Sequence, residues 1–462
     1  MSIQISISNA IGSRYRGSVV PPVTPLLLDT YPNAAVAYSL RKLRSAYTGN
    51  AIRVRRSSDN TEQDFGFIGN DLDTQTMLDF VGYNLSNYSE DATQTAWTKS
   101  RASVSADVEI APDGTLSGDK VIEDLTLGEH GTSKAIGNNI TIPGNTYNCS
   151  IYLKPAEITK IRFYSFTGGG ATYCDVDLSN GTIVNNTFTN TPVITPEPNG
   201  WYRVSIDVVS VTSSSTSFFS IRFFDVTNNI SYFGNGTNGM YVWGAQFSAG
   251  AGVKTYQKTV ATAGGNGFIP TWYDQSTNAN DSTQATATNQ AQVVLNGNLR
   301  LDPNNNKVST EWTNDSYSLT SSITIAQNFL MFAVINRASV SGALRPLGAN
   351  TTTPFIFRWL TNGNIDSQIT TGTVSHAIAD TTIGDYVISA LRDNSDVVKA
   401  WKNTNALSTG TSTGLAATIN RFGLSSTTGS TGWYQELIYW NTDLESSRSA
   451  IETAINTYYS VY

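Results

Sequence analysis

The chain is written almost throughout in short runs of Val, Ile, Phe, Tyr and Trp interleaved with Thr, Ser and Asn, and this constrains its fold more than any other feature. β-Branched and aromatic residues alternating with small polar ones suit strands with one covered face, and the Gly, Asn and Asp between runs suit tight turns. Only 14% of the residues are charged, which is low for the solvent faces of a helical protein. An all-β fold follows. At 462 residues the length points to two or three domains, enough chain to bury a substantial core without metal or disulfide staples.

The net charge of −7 and a pI near 5.0 leave no global positive field to hold a phosphate backbone, so nucleic acid is not an expected partner. The segment Met1-Ser2-Ile3-Gln4-Ile5-Ser6-Ile7-Ser8-Asn9 alternates apolar and polar residues and has neither the basic start nor the apolar stretch of a signal peptide. Nowhere do ~20 apolar residues run together, so no membrane insertion is expected. The two cysteines, Cys149 and Cys174, each fall inside an expected strand. They read as buried thiols, with a bridge between adjacent strands left open. His130 and His376 are far apart in sequence and form no metal-ligand spacing.

Residues 1 to about 30 read as an arm, with Ile3, Ile5 and Ile7 on one face of a short strand and Pro21-Pro22-Val23-Thr24-Pro25 stiff and extended. Such an arm either tethers the chain to a neighbouring subunit by strand addition or serves as the first strand of the next domain. A short helix is expected from Asn33 to Tyr47, where Val36, Leu40, Leu43 and Tyr47 fall at helical spacing before Gly49. Arg41, Lys42 and Arg44, with Arg53 and Arg55, read as a solvated basic face paired with local carboxylates; a site for an acidic partner or glycan is the alternative. At the other end, Thr442 and Glu445 are expected to box the start of a helix with Leu444, Ile451, Ile455 and Tyr458 as its buried stripe.

Two phrases far apart belong together: Ala37 to Gly49 with Ile52-Arg53-Val54-Arg55-Arg56, and Trp272-Tyr273-Asp274-Gln275-Ser276-Thr277-Asn278-Ala279-Asn280-Asp281. Jointly they resemble the jelly-roll domain of fungal-type α-L-arabinofuranosidases (the arabinofuranosidase-B-like fold of glycoside hydrolase family 54) and its non-enzymatic relatives in phage structural proteins. Between them, residues 83–260 contain Ala96-Trp97-Thr98-Lys99, Gly200-Trp201-Tyr202-Arg203-Val204-Ser205 and Met240-Tyr241-Val242-Trp243-Gly244-Ala245-Gln246, and resemble carbohydrate-binding-type β-sandwich modules of phage tail and fibre proteins. Gly432 to Trp440 resembles the closing strand of concanavalin-like, laminin-G-type jelly rolls. The implied organisation is an arm at 1–30, a discontinuous jelly roll at 31–82 and 261–462, and an inserted β-sandwich at 83–260, with short helices near the start and at the C-terminus.

A retaining glycosidase of that family would need two carboxyl groups ~5 Å apart. The resemblance puts a Glu after the strands that follow the Asp-Gln-Ser loop and an Asp shortly before the closing strand. Yet no Asp or Glu lies between Asp315 and Asp366, and Gly423 to Thr431 carries none. Glu436, inside the closing strand, is read as accepting backbone or Arg hydrogen bonds at a sheet edge. The chain is therefore expected not to be an enzyme, although another pair of carboxylates could do chemistry. Asp274, Ser276, Asn278 and Asn280 share the spacing that opens a calcium loop, but Ala279 and Ala285 stand where Gly and Glu belong. No cofactor is expected. The loop reads as a turn tied by Asx side chains, with an irregular calcium site at Asp274 and Asp281 as the alternative.

Trp97, Trp272, Tyr273, Asp274, Asn280 and Asp281 are the candidate ligand contacts, since sugars bind on an aromatic face flanked by Asn, Asp and Arg. The resemblance implies a structural or adhesive virion protein of a tailed bacteriophage, in a fibre, decoration or receptor-binding role. Its arm would meet other virion proteins, its modules would meet host surface glycans, and a homo-oligomer, a trimer, would multiply weak sugar affinity. The alternatives are a glycoside hydrolase or depolymerase acting on host polysaccharide and a purely architectural subunit.

Overall fold

The computed structural model describes residues 25–137, 144–166, 172–211, 217–261, 265–339, 343–349, 354–369, 372–413, 417–423 and 430–462. The arm residues Ile3, Ile5 and Ile7 lie outside the described residues. Strands from 36–65 and 267–440 build a jelly roll, and those from 97–249 build a separate β-sandwich. The molecule is all-β apart from short helices.

The centre of the jelly roll is the strand Phe329–Arg337, flanked by Gly384–Arg392 and by the closing strand Ser430–Trp440. Its continuous apolar run reflects burial on both faces. Met331, Ala333 and Ile335 enter the main core with Tyr38, Trp272, Trp312 and Phe422, while Leu330, Phe332 and Val334 face the C-terminal helix Arg448–Tyr459. That helix docks through Ile451, Ile455 and Tyr459, with Leu444 and Tyr458 only partly buried. The expected capping box is absent: a 3-10 turn, Glu445–Ser447, precedes the helix, and the Glu445 N–H donates to Asp443 Oδ1 at 3.1 Å instead.

The helix expected over Asn33 to Tyr47 is also corrected. Val36–Ser39 is a strand paired antiparallel with the closing strand, Val36 opposite Tyr439 and Ser39 opposite Glu436. Asn33 sits at φ 63°, which a right-handed helix does not accommodate, and all four strand residues are buried. A partner strand and a helix on its outer face override the local spacing. The helices near the start are instead Leu27–Thr30 and Thr74–Val81.

The middle sandwich has two six-stranded sheets. One runs Thr182–Asn186, Thr172–Asp177, Lys160–Phe166, Ser217–Phe223, Gly131–Gly137, Trp97–Ser100; the other runs Val193–Glu197, Trp201–Val209, Thr146–Pro155, Gly239–Ala249, Leu116–Glu123, Ala102–Ile110. Among the described residues none of these strands pairs outside 97–249. Cys149 and Cys174 enter the core between the sheets as free thiols, each pushed up to about 12 by burial. The entering and leaving chains lie side by side: Asn84 Nδ2 donates to the Gln257 carbonyl at 2.8 Å, and Gln257 Oε1 accepts the Tyr83 N–H at 2.8 Å.

A carboxyl pair sits beneath the Asp302–Lys307 turn of the jelly roll. Asp385 accepts from the Asn336 amide, its other oxygen is buried, and burial followed by the hydrogen-bonded Asp302 carboxyl pushes it up to about 6. The raised value means the fold favours the protonated form. The contribution is complete below the unfolded value near 4 and is lost as pH rises through about 6. Asp385→Asn is expected to flatten this part of the pH–stability curve by about 1–2 kcal/mol, less than a dry site would give because solvent screens the pair. Urea midpoints from pH 4 to pH 7 check it; a slope unchanged by the substitution overturns it.

Candidate functional site

The residues proposed from sequence come together as a structural knot. Asp274 is buried and accepts four hydrogen bonds: Oδ1 from the Ala37 N–H at 2.8 Å and the Ser276 N–H at 2.9 Å, Oδ2 from the Ser276 hydroxyl at 2.6 Å and the Asn280 N–H at 2.9 Å. Burial raises its carboxyl above the ordinary range. Asp281 Oδ1 accepts the Asp274 N–H at 2.9 Å, and the Asn280 amide pairs with both backbone groups of Ser321. With N–H and O–H donors converged on both oxygens of Asp274, this loop does not fit a calcium ion.

Gln275, which sequence reasoning passed over, joins the two distant phrases. Its Oε1 accepts the Leu43 N–H at 2.8 Å, and its Nε2 donates to the Ser39 and Arg41 carbonyls at 2.9 Å each. The split motif thus reassembles in space as a backbone clasp. Tyr273 is half-buried and donates to Asp64 at 2.7 Å. The expected exposure of the two tryptophans is corrected. Trp272 is enclosed in the core, edge-on to Phe422 at 5.6 Å, and Trp97 is buried with its Nε1 donating to the Tyr88 carbonyl at 2.8 Å. Neither offers a face to a sugar.

The basic group divides. Arg53 pairs with Asp64 at 2.6 Å, as a solvated face would, whereas Arg41 is buried against Glu436 at 2.8 Å and Arg55 is buried with its Nε donating to Gln290 Oε1 at 2.7 Å instead of to a carboxylate. Glu436 is not at a sheet edge, because the closing strand lies between Val36–Ser39 and Phe329–Arg337.

A cleft of about 290 Å³ at one end of the middle sandwich has the residue types that the knot lacks in exposed form. Phe224, Tyr232 and Phe233 supply aromatic surface; Glu157, Lys160, Asp225, Asn235 and Asn238 supply polar groups. Tyr232 and Phe233 alternate about a two-residue strand, so one goes in and the other out. The Tyr232 hydroxyl donates to buried Glu123 at 2.6 Å, and Glu123 also accepts the Asn235 N–H at 2.9 Å. Phe233, held by that anchor, is 73% exposed. Gly234 follows because a Cβ there would meet the Asp124 carbonyl at 2.1 Å. Asn235 Oδ1 accepts the Thr237 and Asn238 N–H groups at 2.9 Å each, which folds the loop into an Asx turn and leaves its NH2 to donate outward. Glu157 is held below the ordinary carboxylate range by its hydrogen bond with Lys120. The sequence signal was Tyr232-Phe233-Gly234-Asn235-Gly236, an aromatic pair ahead of a Gly/Asn turn.

No family model matches the chain, and no curated protein matches it. Among solved structures, Trypanosoma rangeli sialidase with the inhibitor DANA matches at 12% identity over 73% of this chain and 60% of that one, with a TM-score of 0.28. A putative carbohydrate binding protein from Bacteroides ovatus matches at 9% identity over 68% of this chain and 80% of that one, TM-score 0.25. The CBM22-1-CBM22-2 tandem of Paenibacillus barcinonensis Xyn10C matches at 13% identity over 78% of this chain and 98% of that one, TM-score 0.24. The chain spans about 60% of the length of the sialidase matched with the inhibitor DANA. None of these three is an arabinofuranosidase or a phage protein, and TM-scores this low carry no activity across. The expectation that the chain is not an enzyme is corrected: sialidases, which are enzymes, are among the solved structures it matches.

Proposed function

We propose that the protein engages surface glycans through the Phe233 cleft, as a subunit displayed on a tailed bacteriophage particle. In this reading the N-terminal arm meets other virion proteins and a homo-oligomer, a trimer, repeats the cleft for avidity. The phage setting is supported by the sequence resemblances of the two modules. The glycan reading is carried by one observation, a large aromatic ring 73% exposed at the rim of a cleft with amide and carboxylate walls. Such a ring stacks on the apolar face of a pyranose while the walls bond its hydroxyls.

A second reading, cleavage of the glycan, has its own observation. A cavity of about 470 Å³ beside the junction is lined by Glu90, Asp91, Asp107 and Asp119, and burial pushes Asp119 up to about 6, in the range of a general acid. The Asp119 oxygens also accept the Ala92 N–H at 2.6 Å and the Asp107 N–H at 3.0 Å, one donor on each, which fixes the orientation of the carboxyl and leaves a lone pair on each oxygen for a proton.

One experiment addresses both. The full chain is incubated with a panel of bacterial envelope polysaccharides, scored for retention and for release of reducing ends. Retention is expected, and Phe233→Ala, at an exposed position, should lower it by roughly tenfold, the order of a lost stacking contact. Release of reducing ends abolished by Asp119→Asn supports cleavage. Retention unchanged in Phe233→Ala would remove the cleft from the function, and neither retention nor release would leave an architectural subunit.

A further inference from the structure

We infer that the cleft selects a neutral sugar carrying a methyl-bearing substituent, an acetamido or a 6-deoxy group, and discriminates against sugars carrying a carboxylate. The inference rests on the glycan reading of the cleft and adds to it the class of ligand. Two features of the walls carry it.

The first is charge. Glu123, Glu157 and Asp225 line the cleft against one ammonium, Lys160. Lys160 is committed to Asn228 at 2.8 Å and lies over the Phe224 ring at 5.0 Å. Lys120 offsets Glu157 at 2.8 Å, and outside the lining Asp124 is offset by nearby Arg101, so the balance inside the cleft is set by its own three carboxylates and one ammonium. A carboxylate on the ligand would enter a concave site whose own groups are mostly of the same sign. Hydroxyl groups meet no such opposition and can donate to these oxygens.

The second is the apolar surface beyond the ring. Leu127 stands directly opposite Phe233 in the antiparallel pair, so their side chains share a face. It is 55% exposed, and Leu125, 69% exposed, lies beside the turn, its Cδ2 3.3 Å from where a Cβ on Gly236 would be. Val226 at the cleft wall is 97% exposed. A hexose bearing only hydroxyls would cover Phe233 and set a hydroxyl against Leu127. An acetamido or deoxy sugar sets a methyl there, and burying one methyl-sized group is worth roughly a fivefold gain in affinity.

The test is an NMR titration of the full chain with four methyl glycosides of one ring: the N-acetylglucosaminide, the 6-deoxyglucoside, the glucoside and the glucuronide. The first or second is expected to bind roughly fivefold tighter than the glucoside, and which one does so identifies the methyl's source; the glucuronide should bind more weakly than the glucoside. Leu127→Ser should abolish the advantage of the methyl-bearing sugars over the glucoside. Equal binding of glucuronide and glucoside, or ratios that Leu127→Ser does not move, overturns the inference while the glycan reading stands. If none of the four binds and Phe233→Ala changes no polysaccharide retention, the glycan reading falls and this inference falls with it.

Discussion

Asp274→Ala is expected to destabilise the jelly roll by about 3–6 kcal/mol, the largest effect of any single truncation considered for this protein. The substitution removes the acceptor of three backbone N–H groups and one hydroxyl, on Ala37, Ser276 and Asn280, all within 2.6–2.9 Å. Each donor left unpaired in a buried site costs about 1–3 kcal/mol, reduced where water enters the space. The loss is offset in part because Asp274 itself is a desolvated carboxylate, which burial makes reluctant to ionise. Asp274→Asn keeps one acceptor oxygen but turns an NH2 toward donors, so an intermediate loss of about 1–3 kcal/mol is expected. Urea unfolding followed by tryptophan fluorescence checks both, and the slope of the transition should stay constant. A cost below 1 kcal/mol for the alanine would show that the loop is not a clasp and would return it to the list of ligand sites.

That loop shows what the amino-acid order reveals and what it hides. The strands were legible because their apolar runs exceed any helical or loop pattern, as in Phe329–Arg337 and Gly384–Arg392. Kinship between Ala37 to Gly49 and Trp272 to Asp281 was legible as a resemblance, and Gln275 supplies its physical content. The helical reading of Asn33 to Tyr47 failed because Val36, Leu40, Leu43 and Tyr47 fall at helical spacing only when Ala37, Tyr38 and Ser39 are ignored, and these are buried by a strand nearly 400 residues away in sequence. Trp97 and Trp272 were misplaced for a related reason: polar neighbours suggest a loop, while large aromatics near a strand end are drawn under it. The Phe233 cleft was illegible as a site because its walls come from four separate segments, at 123, 157–160, 224–226 and 232–238. Only the exposed half of its aromatic pair left a local mark.

Arg41→Met is expected to cost about 3–5 kcal/mol, because it strands a buried carboxylate. Arg41 meets Glu436 through two parallel bonds, Nε to Oε2 at 2.8 Å and Nη2 to Oε1 at 2.9 Å, and the same Oε2 accepts the Ser39 hydroxyl at 2.7 Å and the Tyr459 hydroxyl at 3.2 Å. The guanidinium also lies 4.7 Å from the Tyr458 ring and 5.2 Å from the Tyr459 ring, so the pair ties the first strand, the closing strand and the C-terminal helix at one point. Ser39 and Tyr459 can still donate after Arg41 is lost, but they carry no charge and cannot replace the fork. Glu436→Gln should cost less, about 2–3 kcal/mol, since an amide still accepts from Arg41 through one oxygen. The double variant Arg41→Met, Glu436→Gln is expected to be more stable than Arg41→Met alone, giving a coupling of at least ~1 kcal/mol in a double-mutant cycle. Hydrogen exchange separates this from general loosening: protection should fall first in Arg448–Tyr459, where the Tyr458 and Tyr459 rings lose the guanidinium packed against them, and last in Phe329–Arg337, whose burial on both faces does not depend on the pair. Additive single costs, or uniform loss of protection across the jelly roll, would mean that Arg41 and Glu436 contribute as separate side chains and that the helix is held by its apolar stripe of Ile451, Ile455 and Tyr459 alone.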